Sequence, residues 1–134
     1  MQDGVVVDRR DAVVPALLRV QVPDDADPGA VEAEVLRAIT ASPGRAMTAE
    51  LTWVPLLSRT EGPCLVLTYA VVLHGAAPPG RADDLTSHAH RAVTTALRCR
   101  FGATTRAAIR PARSREQLAT CYRALRGSPR PMHP

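Results

Sequence analysis

Cys64-Leu-Val-Leu-Thr-Tyr-Ala-Val-Val-Leu-His74 carries an apolar side chain at nearly every position. Side chains alternate across a strand, so Leu65, Leu67, Tyr69, Val71 and Leu73 share one face and Cys64, Val66, Thr68, Ala70 and Val72 share the other. Both faces are apolar. That pattern identifies a strand with little access to water and implies a sheet covered on both sides. The run is about half the roughly 20 apolar residues that a membrane-spanning helix requires, so no membrane span is expected.

Gly62-Pro63 closes this segment upstream, and a loop from Gly75 to Arg81 containing Pro78-Pro79-Gly80 closes it downstream. Before it, Met47, Ala49, Leu51 and Trp53 alternate with Thr48, Glu50 and Thr52, which predicts a strand from Ala46 to Leu57 and then a turn from Arg59 to Pro63. Pro55 cannot donate to a ladder, so the end of that strand belongs at an edge or a bulge. Further upstream, Val14, Ala16, Leu18, Val20 and Val22 alternate with Arg19 and Gln21, a half-buried strand over Val14–Val22. Asp27 then precedes Pro28, and Val31, Val35, Ala38 and Ile39 follow at helical spacing up to Pro43-Gly44. An aspartate cap with proline in the first turn is a helix-start signature.

Downstream of the loop, Leu85, Ala89, Ala92, Val93, Ala96 and Leu97 form one stripe of a helix over Asp83–Arg100, with Gly102 as its stop. Thr104–Arg110 is a weaker strand, ended by Pro111. Ser114 and Gln117 form the S-x-x-Q of a capping box, which opens a third helix reaching Arg126 with Leu118, Cys121, Tyr122 and Leu125 at helical spacing. Residues 1–11 and 127–134 have little to bury and are expected to be flexible, leaving one α+β domain over residues 12–126.

The order β-α-β-β-α-β with an added C-terminal helix resembles the split βαβ arrangement of the ferredoxin-like superfold, in which helices cover one face of a four-stranded antiparallel sheet. The second face of Cys64–His74 then needs its own cover: the third helix, a ligand, or a second copy of the chain. A homodimer packed sheet against sheet is the expected solution. The superfold hosts unrelated functions, so the resemblance brings no activity with it.

The chain of 134 residues, 46% of them hydrophobic, fits one globular domain and is too apolar for disorder. All 17 basic residues are arginine, and the absence of lysine excludes a Schiff-base enzyme, a pyridoxal-phosphate lysine and a P-loop. Residues 1–61 hold 10 acids against 6 arginines, whereas residues 62–134 hold 3 acids against 11 arginines, so the charge of −4 in the first part becomes +8 in the second. Such a split favours a face that attracts carboxylate, phosphate or an acidic protein surface. The first residues have no basic segment before an apolar core, so no secretory signal is expected and a cytoplasmic location is. Cys64, Cys99 and Cys121 are odd in number and form no C-x-x-C pair, which suits small buried hydrophobes better than a disulfide framework or a zinc ribbon.

Few side chains invite chemistry. His74 ends its strand beside a loop, and histidine is the side chain most used for acid-base work, so it is the best placed acid-base candidate. Glu50 points to the face opposite Met47 and Trp53, and a covered face there would make it a desolvated carboxylate suited to general-base work. Trp53 and Tyr69 are candidates to line a substrate pocket with this pair. Arg106 and Arg110 share a strand face and can anchor a carboxylate or phosphate by bidentate hydrogen bonds. His88 and His90 stand about 200° apart on a helix and cannot chelate one metal as an i, i+4 pair does, so neither a metal nor a cofactor is expected.

Three readings follow. The first is a small binding or assembly module that presents its arginine-rich half to an acidic protein or an anionic small molecule. The second is a cofactor-free enzyme of the cyclase, isomerase or oxygenase kind, holding a small apolar metabolite in a pocket and using His74 or Glu50 as its acid-base group. The third is RNA or ribosome association, for which the arginines supply the electrostatic part but the sequence lacks the aromatic spacing of an RNA-binding sheet.

Overall fold

The computed structural model describes residues 10–41, 47–77 and 83–127, and the proline-glycine stop at 43–44, most of the loop at 78–82 and the two chain ends lie outside them. Chain order is β1 (Arg10–Pro23), α1 (Pro28–Thr40), β2 (Met47–Trp53), a single 3₁₀ turn (Pro55–Leu57), β3 (Arg59–Glu61), β4 (Cys64–Ala77), α2 (Asp83–Phe101), β5 (Arg106–Pro111) and α3 (Arg115–Gly127). The fold is mixed α+β, with one antiparallel sheet of order β2-β4-β1-β5 and β3 pairing with β4. No helix among the described residues is long and apolar enough to cross a membrane.

β4 sits in the interior of this sheet, as its two apolar faces require. It pairs with β1 along the whole 14-residue length of each strand, with Leu18 opposite Tyr69 and Val14 opposite Leu73. β1 and β4 both overrun their expected ends: β1 begins at Arg10, inside the segment expected to be flexible, and β4 continues to Ala77. β2 is shorter than expected. Pro55 turns the chain into the 3₁₀ turn instead of letting the strand reach Leu57, and the supposed turn from Arg59 becomes β3, hairpinned to β4 around Gly62 at φ 58°. A glycine with positive φ at the first position of a two-residue loop is what that tight hairpin needs.

The helices start and stop where their chemistry says. The Asp27 carboxylate accepts from the Ala30 N–H at 2.9 Å, Gly102 ends α2 at φ 116°, and Ser114 and Gln117 bond each other's backbone reciprocally, a complete capping box. α1 and α2 pack on each other, α1 on β2 and α2 on β5. Their stripes, Val31, Val35 and Ile39 on α1 and Leu85, Ala89, Val93 and Leu97 on α2, are fully buried against Leu18, Val20, Leu67, Tyr69, Val71 and Leu73.

One acid is buried at the helix pair. Glu34 is 7% exposed; its carboxylate accepts from Arg37 on the next turn and lies 3.6 Å from Arg100 at the end of α2. The Arg37 hydrogen bond holds its pKa below the ordinary value of 4.5. A carboxyl depressed in the folded state adds stability above its unfolded pKa and loses it as pH falls through the folded one. Glu34→Gln is therefore expected to unfold at lower urea than wild type at about pH 7, with the two midpoints converging as pH falls below the ordinary carboxyl value of 4.5. A gap that stayed constant in a urea titration across that range would refute the assignment.

Candidate functional site

α3 crosses the sheet on the side away from α1 and α2 and packs on β1, β4 and β2. Cys121 is fully buried there, its thiol donating to the Ala16 carbonyl at 3.2 Å, and burial pushes that thiol's pKa up. Beside it Ala70 is fully buried and Val72 is 5% exposed. The cover that the second face of β4 demands thus comes from within the chain, and the reason for expecting a sheet-to-sheet homodimer is removed at this half of the face.

Past α3, the second face is polar. Arg106 and Arg110 are exposed on β5, with Leu17, Arg19 and Gln21 on β1 and Arg59 and Glu61 on β3 following the same parity. Register sets the geometry. Arg19 lies opposite Ala108, between Arg106 and Arg110, which are opposite Gln21 and Leu17. At about 3.4 Å per residue, the two β5 arginines leave the backbone about 14 Å apart. Two clefts of about 320 and 460 Å³ meet over this area and share Arg19, Arg59 and Ala108. Arg59 donates to Glu61 at 2.6 Å, whereas Arg19, Arg106 and Arg110 have no acidic partner among the described residues. The result is a groove with four guanidinium groups and one carboxylate, in which three of the cations are uncompensated. Planar guanidinium forks of this kind match carboxylate and phosphate oxygens in pairs.

The expected catalytic pair also meets. His74 Nε2 lies 3.1 Å from Glu50 Oε2, across the β2–β4 ladder, with Thr48 opposite His74 and Glu50 opposite Val72. Their side chains are 40% and 48% exposed, so the desolvated cavity expected around Glu50 is not formed. Trp53 and Tyr69 do not join them. They oppose each other on the helix-covered face, one parity step away from Glu50 and His74, so the four side chains cannot line one pocket. Tyr69 is fully buried, and its hydroxyl donates to the Pro28 carbonyl at 3.0 Å. Burial, with the charges of Glu32 and Asp27, raises its phenol pKa. It is a core residue and not a substrate contact.

Arg19 and Arg59 belong to the groove and were not singled out from the sequence. The parity of Arg19 on β1 was readable, but its place between Arg106 and Arg110 needs the β1–β5 register. The two histidines of α2 diverge as helical spacing dictates: His90 donates to the Ala107 carbonyl at 2.8 Å, while His88 faces a cleft with Arg37 and Arg91. No cluster of three His, Cys, Asp or Glu side chains able to hold a metal occurs among the described residues. The three cysteines are free: Cys64 half-buried, Cys99 exposed and Cys121 buried. No protein-family model matches the chain, and the curated proteins contain no match to its sequence.

Proposed function

We propose that this protein is a cytoplasmic binding module whose arginine groove takes an acidic segment of a partner protein. The observation that carries the reading is the trio Arg19, Arg106 and Arg110, exposed on one face with no ion-pair partner among the described residues. Uncompensated like charges repel one another and are relieved by an anion. Two grooves of this sign meeting about a twofold axis would set like charges against each other, so the occupant is of opposite charge and not a second copy. Among the described residues none of the groove-lining side chains is aromatic, which leaves RNA without the stacking platform that single strands require. The same reading takes the fold as a ferredoxin-like βαββαβ unit, with β3 as a short added strand and α3 as its lid, and the three free thiols suit a reducing compartment.

The runner-up, cofactor-free catalysis by His74 and Glu50, has their hydrogen bond in its favour. Openness to water counts against it, because acid–base pairs are tuned by excluding water.

The test is fluorescence anisotropy with a labelled oligoglutamate peptide and a single-stranded RNA of equal length. The peptide is expected to bind, weakening as salt rises from about 50 to about 200 mM, since exposed charge pairs are screened. Arg106→Ala/Arg110→Ala is expected to lower peptide affinity by about tenfold or more, each charged hydrogen bond contributing on the order of 1.5–3 kcal/mol. Peptide affinity unchanged in the double variant, or RNA bound more tightly than peptide, would overturn the proposal.

A further inference from the structure

A cleft of about 740 Å³ runs along the free edge of β2; it shares Leu56 and Leu57 with the arginine groove but none of that groove's arginines. α1 contributes Glu32, β2 contributes Leu51 and Trp53, the 3₁₀ turn contributes Leu56 and Leu57, and α3 contributes Arg123. Its size is that of a small-molecule site, about 300–1,000 Å³. Three large apolar side chains are held open to solvent there: Leu56 is 96% exposed, Leu57 42% and Trp53 39%.

This wall is fixed in place. The Trp53 indole N–H donates to Ser58 Oγ at 2.8 Å, and Ser58 Oγ donates to the Val54 carbonyl at 3.0 Å and accepts from the Thr68 N–H at 3.0 Å. Thr68 Oγ1 donates to the Leu57 carbonyl at 3.0 Å, tying the far end of the turn to β4. Exposed apolar groups anchored by four hydrogen bonds form a preorganised surface, which lowers the ordering cost of binding. A loose loop would not.

Charge selects the ligand. Glu32 is half-buried and has no hydrogen-bond or ion-pair partner among the described residues, and burial pushes its pKa up. Arg123 is exposed, so water screens its charge more than it screens that of Glu32. A cation at Glu32 gains a less screened partner and an indole ring in the same cleft, and tryptophan is the best aromatic face for a cation.

We infer that this cleft binds a small amphipathic organic amine, its apolar body against Trp53, Leu56 and Leu57 and its ammonium group at the unpartnered carboxylate of Glu32. Trp53 is the single tryptophan of the chain, so its emission reports occupancy directly. The experiment titrates the protein with phenethylamine, phenethyl alcohol and phenylacetate, which share one apolar body and differ in charge. The amine is expected to change Trp53 emission saturably and to bind at least about tenfold more tightly than the alcohol, the scale of one charged hydrogen bond. Glu32→Gln is expected to remove that preference while leaving the alcohol's affinity unchanged. Leu56→Ser, at a position too exposed to affect folding, is expected to weaken the amine about threefold, and Arg106→Ala/Arg110→Ala to leave it unchanged. No saturable change with the amine, equal affinity for the three probes, tightest binding of the acid, or a folded Glu32→Gln that binds amine like wild type would each overturn the inference.

Discussion

Tyr69→Ala is expected to destabilise the fold by about 3–5 kcal/mol, the range for deleting a buried aromatic ring. Against the 5–15 kcal/mol of an ordinary domain, that is at least about a fifth of the total stability. The ring is fully buried at the centre of β4, opposite Leu18 of β1 and Trp53 of β2. It belongs to the cluster that also holds Val31 and Val35 of α1. Alanine would leave a cavity that two long paired strands cannot collapse into. The hydroxyl contributes separately, because its bond to the Pro28 carbonyl ties the first turn of α1 to the sheet. Tyr69→Phe keeps the ring and loses only that bond, at about 1 kcal/mol. Urea unfolding followed by Trp53 emission separates the two. If alanine and phenylalanine cost the same, the ring is not the centre of the core; if alanine costs less than about 1 kcal/mol, the site is not packed as described.

That tyrosine also shows what the sequence could and could not say. Its parity on β4 was readable, and so was the parity of Trp53, Glu50 and His74 on their strands. Treating the four as neighbours of one pocket ignored what parity implies: Glu50 and His74 face one side, Trp53 and Tyr69 the other. The His74–Glu50 hydrogen bond, by contrast, rests on the β2–β4 register, which no local pattern encodes. The groove has the same character. Arg106 and Arg110 were visible as one strand face, but Arg19 reaches them only because it is paired opposite Ala108.

The elements that sequence misjudged were weak in signal for physical reasons. β3 is Arg-Thr-Glu, exposed at all three residues, with no alternation to recognise; its hairpin comes from the geometry at Gly62 and not from burial. Pro55 announced the end of a ladder but not what would replace it, and the turn that follows builds the wall of the β2-edge cleft. Helix caps were legible because they are local: Asp27, Gly102 and the Ser114–Gln117 box act within four residues of themselves. The double apolarity of β4 was legible as a demand for cover. What it could not reveal was the supplier, because the stripe of α3 shows that the helix buries a face without saying where.

Cys121→Arg tests that supplier, and its effect is expected to be as large as that of any substitution in the chain. The thiol is fully buried between α3 and the Ala16–Val71 pair of β1 and β4. A guanidinium has no anion to meet there, and a buried unpaired charge costs several kcal/mol. The cheaper response is for the 13-residue α3 to leave the sheet, since among the described residues the main hydrophobic cluster of α1, α2 and the inner sheet face includes none from α3. Ala70 and Val72 would then be open to water beside Leu17 and Pro15, an apolar strip on a flat sheet, the kind of surface that draws a second copy. The expected result is a protein with near-native α1, α2 and sheet signals by circular dichroism, strong binding of an apolar dye, and a sedimenting mass that rises with concentration. Cys121→Ala, which removes about one methylene's worth of burial, is expected to cost only about 1 kcal/mol and to keep the wild-type mass. If Cys121→Arg matches wild type in dye binding, mass and urea midpoint, α3 is not the lid of this sheet. If α3 is the lid, the association first expected from the apolar second face of β4 is suppressed by the chain's own last helix, and its strength in the variant measures what that helix holds back.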